Sequence, residues 1–468
     1  MDMAAWAHQH FWGAALGDFR LLRRLVEVAS CIRRNPRGTL PQAIHDGMAL
    51  KAAYRLLGNP KVTHEGILKP HVNATREQCR EPGDYLLIED TTALSFTQRA
   101  AIQGMGPLTS DTSQGLLVHT NLAARITQWS DEQEPQVVLV GVFGQQAWAR
   151  EEPEGTRAER KRVKRVEKRT KGKAGESWRW GRAMAEAGSP PEGARWTLVS
   201  DRECDIFEVL ERCNAAGQDW VIRAAQGRRT TSEAGNVFAT VAQAPMQGRY
   251  TLDLRARPGV AARKAQVEVR AVKTEIVPPR DLPGHHAPQT TTVVEVRELD
   301  PPADVEEPIH WVLLTSWPCE CFTQTRSVIG AYACRWLIEE YHKALKTGTH
   351  IEDSQLSSAK RIEALLAIHA PIAADLLQLK LLANNLPDET VSLDLLRPEA
   401  LDILEKIIGR PECGWTNTSA MRAIARMGGY VGRKNDGPPG WLSIWRGWLQ
   451  LMLLLDGYLI ALGQKTYG

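Results

Sequence analysis

The spacing of apolar and polar residues divides this chain into a helical beginning, a strand-rich middle and a helical end. Apolar residues recur at helical spacing over residues 19–29, directly behind Asp18, which can cap the helix. A second helix is predicted over residues 48–57, and Gly58-Asn59-Pro60 ends it. Residues 1–70 are therefore predicted to form a small, all-helical domain.

Short apolar runs in the middle of the chain predict β-strands. They cover residues 85–89, 117–126, 137–143, 196–199, 220–223, 250–257, 264–272, 291–299 and 311–315. Strands mixed with helical segments favour an α/β domain built on a sheet. Strands dominate residues 220–316, and Val267-Glu268-Val269-Arg270 alternates, so this block is predicted to be a β-rich insertion with one solvated face.

The chain is predicted to be helical again from Thr323 to its end. The last helix carries apolar residues at alternating steps of four and three, the spacing of an a/d seam. The seam consists of Trp441, Trp445, Trp448, Met452, Leu455, Leu459 and Leu462. Such a seam packs either within its own chain, which is the commoner use, or against a partner helix.

The composition is typical of a soluble globular protein. The 468 residues correspond to about three domains, and 43% of them are hydrophobic while 24% are charged. The longest apolar runs, such as residues 451–455, are too short to span a bilayer, and the first 19 residues do not resemble a signal peptide. Eight cysteines without paired C-x-x-C clusters indicate neither a zinc site nor a disulfide framework. We therefore expect a reduced, cytoplasmic protein without a membrane partner.

The net charge of +3 says little about partners, but its distribution along the chain says more. Residues 1–70 hold ten Lys/Arg against five Asp/Glu, and residues 157–173 hold ten Lys/Arg against Glu159 and Glu167. Basic patches of this kind bind phosphates through the release of counterions. The second run is equally compatible with a solvated helix face or a disordered loop.

Two aspartates are predicted to follow buried strands directly. Asp90 comes after the run 85–89, and Asp201 comes after the run that begins at residue 196. A carboxylate at the end of a buried strand is a rigid metal ligand, although each aspartate taken singly also suits a helix cap or a turn. Glu203 and Asp205 are alternative ligands that the spacing does not exclude.

A third acidic residue lies among basic ones on a helix predicted over residues 333–345. The residues at steps of three, four, four and three are Tyr332, Arg335, Glu339, Lys343 and Lys346. On a continuous helix they cover an arc of roughly 80°. This stripe can bind a metal ion and phosphate oxygens together. The alternative is a solvated face with two i,i+4 ion pairs, Arg335 with Glu339 and Glu339 with Lys343.

Two strand-end aspartates and one helix glutamate together form the ligand set of two-metal phosphoryl transfer, in which carboxylates hold divalent ions about 4 Å apart. Mg²⁺ suits such an all-oxygen set and leaves positions for water and phosphate.

With these motifs the chain resembles the bacterial insertion-sequence DDE transposases, and in particular the IS-four family of Tn-five-type transposases. The third motif is highly specific, whereas the first two are specific only in this order. The motifs are Ile88-Glu89-Asp90-Thr91-Thr92, Asp201-Arg202-Glu203-x-Asp205-Ile206 and Tyr332-x-x-Arg335-Trp336-x-x-Glu339-Glu340-Tyr341-His342-Lys343-x-x-Lys346-Thr347-Gly348. Similar segments at residues 14–18, 53–55 and 423–429 extend the likeness over nearly the whole chain.

The resemblance implies an RNase H-like catalytic core over residues 71–373, with the β-rich insertion at about 220–316. It also implies an all-helical end-binding domain over residues 1–70 and a helical dimerisation domain over residues 374–468.

The resemblance further implies a role for each motif residue. Asp90, Asp201 and Glu339 would bind two Mg²⁺ ions, which Mn²⁺ could replace. The expected DNA contacts are Tyr332, Arg335, Lys343 and Lys346 near the cut, Trp311 against a displaced base, and Arg20, Arg23 and Arg24 in the N-terminal domain.

The function implied is that of a cut-and-paste transposase in the bacterial cytoplasm, associated with the nucleoid when bound to DNA. It would bind terminal inverted repeats as a homodimer through its C-terminal helices, cleave them through a hairpin and join the 3′-hydroxyls to target DNA. No GxxxxGK[ST] segment is present, so no nucleotide cofactor is expected. Two alternatives stay open: an RNase H-like nuclease that does not join strands, and a non-catalytic DNA-binding inhibitor of transposition.

Overall fold

The chain begins with a helical region whose helices start at capping side chains. The computed structural model describes residues 3–99, 101–108, 113–129, 135–151, 176–254, 263–303, 305, 307–393, 395–433 and 436–463. The first helices are α1 (Met3–Phe11), α2 (Phe19–Arg34), α3 (Leu40–Ala43), α4 (Gly47–Leu57) and α5 (His64–Gln78). The Asp18 carboxylate accepts the backbone N–H of Arg20 at the start of α2, as its position predicts.

Ten strands of the described chain form one mixed sheet. They are β1 (Gly83–Ser95), β2 (Gly106–Pro107), β3 (Gln114–Gln128), β4 (Gln136–Trp148), β5 (Ala194–Ser200), β6 (Asp219–Arg223), β7 (Met246–Leu254), β8 (Arg263–Ile276), β9 (Gln289–Glu298) and β10 (His310–Thr315). The order is β3-β1-β5-β6-β10-β9-β8-β7, and both β2 and β4 pair with the outer side of β3. The parallel pairs are β1 with β5 and β5 with β6, in the centre of the sheet. The protein is therefore a mixed α/β fold with helical regions at both ends.

The sheet contains a strand at every predicted position, although residues 255–257 of the predicted strand 250–257 lie outside the described residues. Strands β6 and β10 join the strands beyond residue 220 to the central strands. In addition, β1 does not end at residue 89 but continues to Ser95, paired with β3 throughout. Thr91 and Thr92 favour this extended conformation, and the pairing outweighs the low strand propensity of an aspartate. Asp90 therefore lies inside the strand.

The two faces of the sheet belong to different apolar cores. Leu86 and Ile88 of β1 pack into a core shared with the N-terminal and C-terminal helices. Tyr85 and Leu87 point to the other face, where α6 (Arg182–Ala187) and α7 (Phe207–Ala215) cover a second core. Because side chains alternate along a strand, Asp90 faces the first core and Glu89 the second. A short helix, α8 (Val237–Ala242), packs on β8 and β9.

The remaining helices confirm a helical end of the chain. They are α9 (Phe322–Ala333), α10 (Trp336–Lys343), a π-helical turn (Ala344–Gly348), α11 (Ala359–Asn385), α12 (Pro398–Ile408), α13 (Asn417–Met427) and α14 (Trp441–Ala461). Helix α11 is long and apolar enough to cross a membrane, but 78% of its apolar window is buried inside the fold.

A buried ion pair fastens the N-terminal helices to α11. The Arg33 guanidinium, 5% exposed, pairs with Asp375 of α11 and lies 4.2 Å from the centre of the Trp6 ring. The Trp6 indole N–H donates to the same carboxylate at 2.8 Å. Since removing one partner would leave a charge buried without compensation, this contact fixes the N-terminal helices on the core.

The seam of the last helix packs inside its own chain. Trp445, Trp448, Met452 and Leu455 are all at most 5% exposed, whereas Leu462 at the end of the seam is 54% exposed. Of the two predicted uses of the seam, packing within its own chain is therefore the one observed.

Two glycines let α13 and α14 cross at very short range. A Cβ at Gly447 would lie 1.6 Å from the Ile424 carbonyl oxygen, and one at Gly428 would lie 1.9 Å from the Ser443 carbonyl oxygen. Only glycine permits such an approach, because any side chain would force the backbones apart.

We expect Gly447→Ala to lower the free energy of unfolding by about 3 kcal/mol, because the added methyl group overpacks the helix crossing. Gly457→Ala is the matched control on the same helix, since no atom lies within 4 Å of the added methyl group. That control is expected to stabilise the helix by up to about 1 kcal/mol. Urea denaturation measures both, and equal effects of the two substitutions would contradict the close crossing.

Candidate active site

Asp90 and Asp201 lie side by side on neighbouring parallel strands. Glu89 of β1 is in register with Ser200 of β5, so the next residue of each chain segment is an aspartate. The Asp90 carboxylate accepts the Thr91 N–H at 2.7 Å. Asp201 follows β5 immediately, as predicted, and accepts the Glu203 N–H at 2.9 Å at the start of a 3₁₀ turn. The sheet thus holds two carboxylates together at one edge of the first core.

The closeness of these carboxylates is evident in their electrostatics. Burial, and next the negative charge of Asp201, raise the pKa of Asp90 to about 6. Burial and Asp201 also raise the pKa of Glu203, which is directed into the same neighbourhood. Three acidic groups that repel one another favour a cation between them.

Of the two alternative ligands, Asp205 has a structural role. Its buried carboxylate pairs with Arg228 and accepts the N–H of Ala225 at 2.7 Å. A carboxylate already satisfied in this way is not available to a metal ion. Glu203, an exposed residue on the turn after Asp201, remains a candidate.

Arg335 connects the aspartates to Glu339. Its Nη2 lies 2.5 Å from the Glu339 carboxylate and its Nη1 lies 3.9 Å from the Asp90 carboxylate. Burial opposes the charge on Arg335, but the neighbouring Tyr332 and Glu339 leave its pKa raised. One guanidinium therefore brings Glu339 to the side of the site where Asp90 lies.

The helix predicted over residues 333–345 is observed over Trp336–Lys343 as α10, but a turn at Cys334 and Arg335 separates it from α9. Tyr332 is buried at the end of α9, and Arg335 caps α10. Glu339 lies in the first turn of α10, and Lys346 lies in the π-helical turn. The arc of side chains inferred from helical spacing assumed one axis, whereas these residues lie on three successive elements.

The two lysines of this segment differ in their surroundings. Lys343 pairs with Glu340 at 2.8 Å and not with Glu339, so only the first of the two predicted i,i+4 pairs forms. Lys346 is partly enclosed, and burial lowers its pKa. Lys346 is therefore the lysine of the pair without a short contact to an acidic neighbour among the described residues.

Glu340 anchors this segment to the C-terminal helices. Its carboxylate accepts a hydrogen bond from the Lys380 ammonium of α11 at 2.5 Å and another from the Trp441 indole N–H of α14 at 2.6 Å. Although burial opposes it, hydrogen bonds from Lys343 and Lys380 hold the pKa of Glu340 at about 2. This second glutamate is thus a structural tie and not a candidate ligand.

Trp311 of β10 lies against the start of the same segment. It is half-buried, and its ring centre is 5.3 Å from that of Tyr332 in an edge-to-face contact at 67°. The two aromatic residues that the sequence singled out near the cut are therefore neighbours.

The donor set fits a divalent cation, although the side chains are not arranged as a closed cage. Within the described ranges, no three His, Cys, Asp or Glu side chains form a group spaced for a metal ion. The residues present, Asp90, Asp201 and Glu339, offer hard oxygen donors, and the mutual repulsion at Asp90 favours added positive charge. Glu339 presently pairs with Arg335.

The sequence did not single out the buried polar group behind Asp90. Glu89 is fully buried on the opposite face, and its carboxylate accepts the Gly181 N–H at 3.0 Å and contacts His119 Nε2 at 2.8 Å. His119 Nδ1 in turn lies 2.9 Å from Thr91 Oγ1. An acidic residue that ends an apolar strand run was the available signal for this network.

The basic residues predicted to bind DNA at the N-terminus lie on the first half of α2. The side chains of Arg20, Arg23 and Arg24 are 90%, 71% and 37% exposed. Arg20 pairs with its own capping Asp18, and the other two pair with Glu27. The basic run 157–173 lies outside the described residues.

Residues 3–62 match the family of domains described as Transposase DNA-binding. The match covers α1 to α4, including the exposed arginines of α2. The chain therefore carries a transposase DNA-binding domain at its N-terminus, and DNA binding is implied by that domain. The match does not extend to the carboxylates, whose chemistry rests on their geometry.

Asp90→Asn is expected to stabilise the metal-free protein by about 2 kcal/mol near neutral pH. The folded-state pKa of Asp90 is raised from 3.8 to about 6, so the folded protein binds more protons than the unfolded chain in this window. Stability therefore falls as the pH rises through the window, and removing the charge restores it.

Urea denaturation in EDTA at about pH 7.5 and about pH 4 measures this difference, and the gain should vanish at the lower pH. Asp253→Asn is the matched control, because that carboxylate is 74% exposed. A gain of equal size at both pH values would mean that repulsion at Asp90 is not its cause.

Proposed function

We propose that this protein is a cut-and-paste DDE transposase of the IS-four type with an RNase H-like catalytic core. It binds the inverted repeats of a transposon, cleaves the ends by metal-dependent phosphoryl transfer and joins the 3′-hydroxyls to target DNA. The mixed sheet supports such a core, and the N-terminal transposase DNA-binding domain supports the choice of DNA as substrate.

One observation carries the proposal: Arg335 lies between Asp90 and Glu339 while Asp90 stands beside Asp201. The strand pairing brings together residues 111 positions apart, and the arginine adds a glutamate from a helix. A merely structural set of carboxylates would be paired off like Asp205, and would not raise the pKa of Asp90 to about 6.

Each of these residues has a defined task in the proposed reaction. Asp90 and Asp201 would hold one divalent ion. Glu339 would supply the further carboxylate needed to bind two ions. When bound, Mg²⁺ or Mn²⁺ supplies charge stabilisation for the attacking and leaving oxygens. Arg335, which lies next to the carboxylates, and Lys346, in the π-helical turn that follows α10, would bind phosphate oxygens of the cleaved strand. Lys343, which is 57% exposed, would add a backbone contact farther out.

We further propose that cleavage passes through a DNA hairpin in which a displaced base stacks on Trp311. The ring of Trp311 is half-buried and is supported from behind by buried Tyr332, so a base entering there would stack on Trp311. Stacking of this kind offsets part of the unpairing energy and tolerates any base.

The proposed homodimer requires a surface other than the buried seam. Helix α14 exposes Leu442, Leu453 and Ile460 to between 45% and 67%, and half-buried Leu449 lies between them. Their spacing of seven, four and seven residues places them on one stripe of the helix, roughly 100° around the axis from the seam. This stripe is our proposed contact with a second copy on paired DNA ends.

Glu339→Gln is expected to abolish strand cleavage, lowering its rate by at least about a thousandfold, while DNA binding persists, because the variant loses a metal ligand but no DNA-binding arginine. The protein is incubated with linear DNA that carries the inverted repeats flanking its gene, with and without Mg²⁺, and products are separated on denaturing gels. Glu77→Gln is the control, since that side chain is 80% exposed.

The same gels separate the three functions. Nicks, hairpins and joined products from the native protein support the transposase. Cleavage without hairpins or joining would indicate the nuclease, and binding without any cleavage would leave a DNA-binding inhibitor.

Leu453→Glu is expected to prevent pairing of two protein copies on DNA ends, because a charge would be buried at the centre of the stripe. Sedimentation of the protein with end DNA should shift from two copies to one. Val431→Glu, at a residue 64% exposed away from the stripe, should leave the assembly intact. Pairing that survives Leu453→Glu would exclude this face.

A further inference from the structure

A second cluster of cationic and aromatic side chains lies at the edge strand β4, beside the carboxylates. We call it the tryptophan–arginine platform, and it consists of Trp148, Trp178, Arg179 and Arg182. The platform begins at the last residue of β4 and continues through the turn that leads into α6. None of these residues has a task in the proposed cleavage.

A clasp of Arg150 and Glu176 holds the platform in place. The Arg150 guanidinium makes two contacts with the Glu176 carboxylate, at 2.8 and 2.6 Å, which is a bidentate pair. The Trp148 indole N–H donates to the same carboxylate at 3.0 Å. The end of β4 and the turn after residue 175 are therefore joined rigidly.

The guanidinium groups of the two platform arginines lie over indole rings. The Arg179 guanidinium carbon lies 3.7 Å from the centre of Trp148 and 4.7 Å from that of Trp178. That of Arg182 lies 4.8 Å from Trp178, so two cations flank one ring. Stacking on a ring does not use the N–H groups at the edge of a guanidinium, and these are the groups that bind phosphate oxygens.

The charge of Arg179 is not balanced as that of Arg150 is. Burial lowers the pKa of Arg179, Arg182 lowers it further, and only Glu176 opposes them. Its Nε is buried and has no hydrogen-bond partner, and no ion pair within 4 Å joins it to a carboxylate of the described chain. Arg182 is 37% exposed and pairs with Glu186 at 2.7 Å. Two cations held close together, one of them without an ion pair among the described residues, favour an anionic ligand.

The platform lies on the second face of the sheet, whereas the end-binding elements lie on the first. The Gly181 N–H, directly before Arg182, binds Glu89 on the second face of the sheet, and Trp180 is buried in the second core. The N-terminal helices and Tyr332 belong to the first core. The clasp nevertheless lies near the site, since Arg150 and Glu176 both act on the charge of Glu203.

We propose that the tryptophan–arginine platform binds the phosphate backbone of the target DNA, with Arg179 and Arg182 as its two contacts. This inference rests on the proposed transposase function, because it adds the partner that receives the cleaved ends. The clasp lies within electrostatic reach of Glu203, so a duplex bound on this face would pass beside the turn that begins at Asp201, while the transposon end lies on the other face. The ten Lys/Arg of residues 157–173 lie between Arg150 and Glu176 in the sequence and add positive charge to this part of the chain.

The test is the binding of a short duplex that lacks the inverted repeats, measured by fluorescence anisotropy in EDTA over a range of salt concentrations. For Arg179→Gln/Arg182→Gln we expect the slope of log affinity against log salt to fall by about two, one for each phosphate that the variant no longer neutralises. In a strand-transfer assay with pre-cleaved ends, the ratio of joining to end cleavage should fall by about tenfold.

Arg195→Gln is the matched control, because Arg195 also stacks on a tryptophan, 4.0 Å from Trp317, and also pairs with an acid, Asp219. It lies at the opposite end of β5 from Asp201, so its slope should equal that of the native protein. If the double variant does not fold, the exposed Arg182→Gln carries the test, with an expected change in slope of about one.

An unchanged slope, or an equal decrease in the control, overturns the proposal. The binding measurement needs neither metal nor cleavage, so it can fail while the transposase function stands. Conversely, a lowered slope in a protein that never cleaves DNA would keep the platform as a DNA contact and overturn the transposase function.

Discussion

The parallel pairing of β1 with β5 is the constraint on which the rest of the site depends. It places two aspartates next to each other in half-buried surroundings, where their charges repel. The sheet can hold them there because both strands lie in its centre, with an apolar core on each face. The packing of the two cores offsets the free-energy cost of that repulsion, and a bound cation would lower the cost. Arg335 supplies part of that positive charge in the structure described, and a metal ion would supply the rest.

The glutamate of the site is positioned by a different means. Helix α10 is short, and its position depends on contacts with the C-terminal helices α11 and α14. Glu340 is held by Lys380 and Trp441, while Gly348 at the end of the π-helical turn lies directly against Trp445. The C-terminal helix thus supports the segment that carries Glu339, in addition to exposing an apolar stripe. The same packing explains why the seam is used within the chain: its tryptophans form the surface against which the segment that carries Glu339 packs.

Much of the architecture could be predicted from local pattern. Every strand longer than two residues was indicated by an apolar run, and Asp18 marked the start of α2 correctly, since both signals depend on neighbours in sequence. The errors occurred where distant partners decide. Strand β1 extends past Asp90 because β3 pairs with it, and the helix around Arg335 breaks because α9 and α10 pack on different neighbours. Asp205 was an open alternative until its buried pair with Arg228 was seen.

The sequence by itself determined the residue types: three carboxylates with basic and aromatic companions, a basic helical beginning and an apolar seam at the end. Periodicity and composition are properties of short segments, so they can be recognised without knowledge of the fold. Only the tertiary structure decided which of these groups meet. It set Asp90 beside Asp201, gave Lys343 to Glu340 and not to Glu339, and stacked Arg179 on Trp148. The physical reason is that burial and charge act through space, and strand pairing alone brings residues 90 and 201 into the same field.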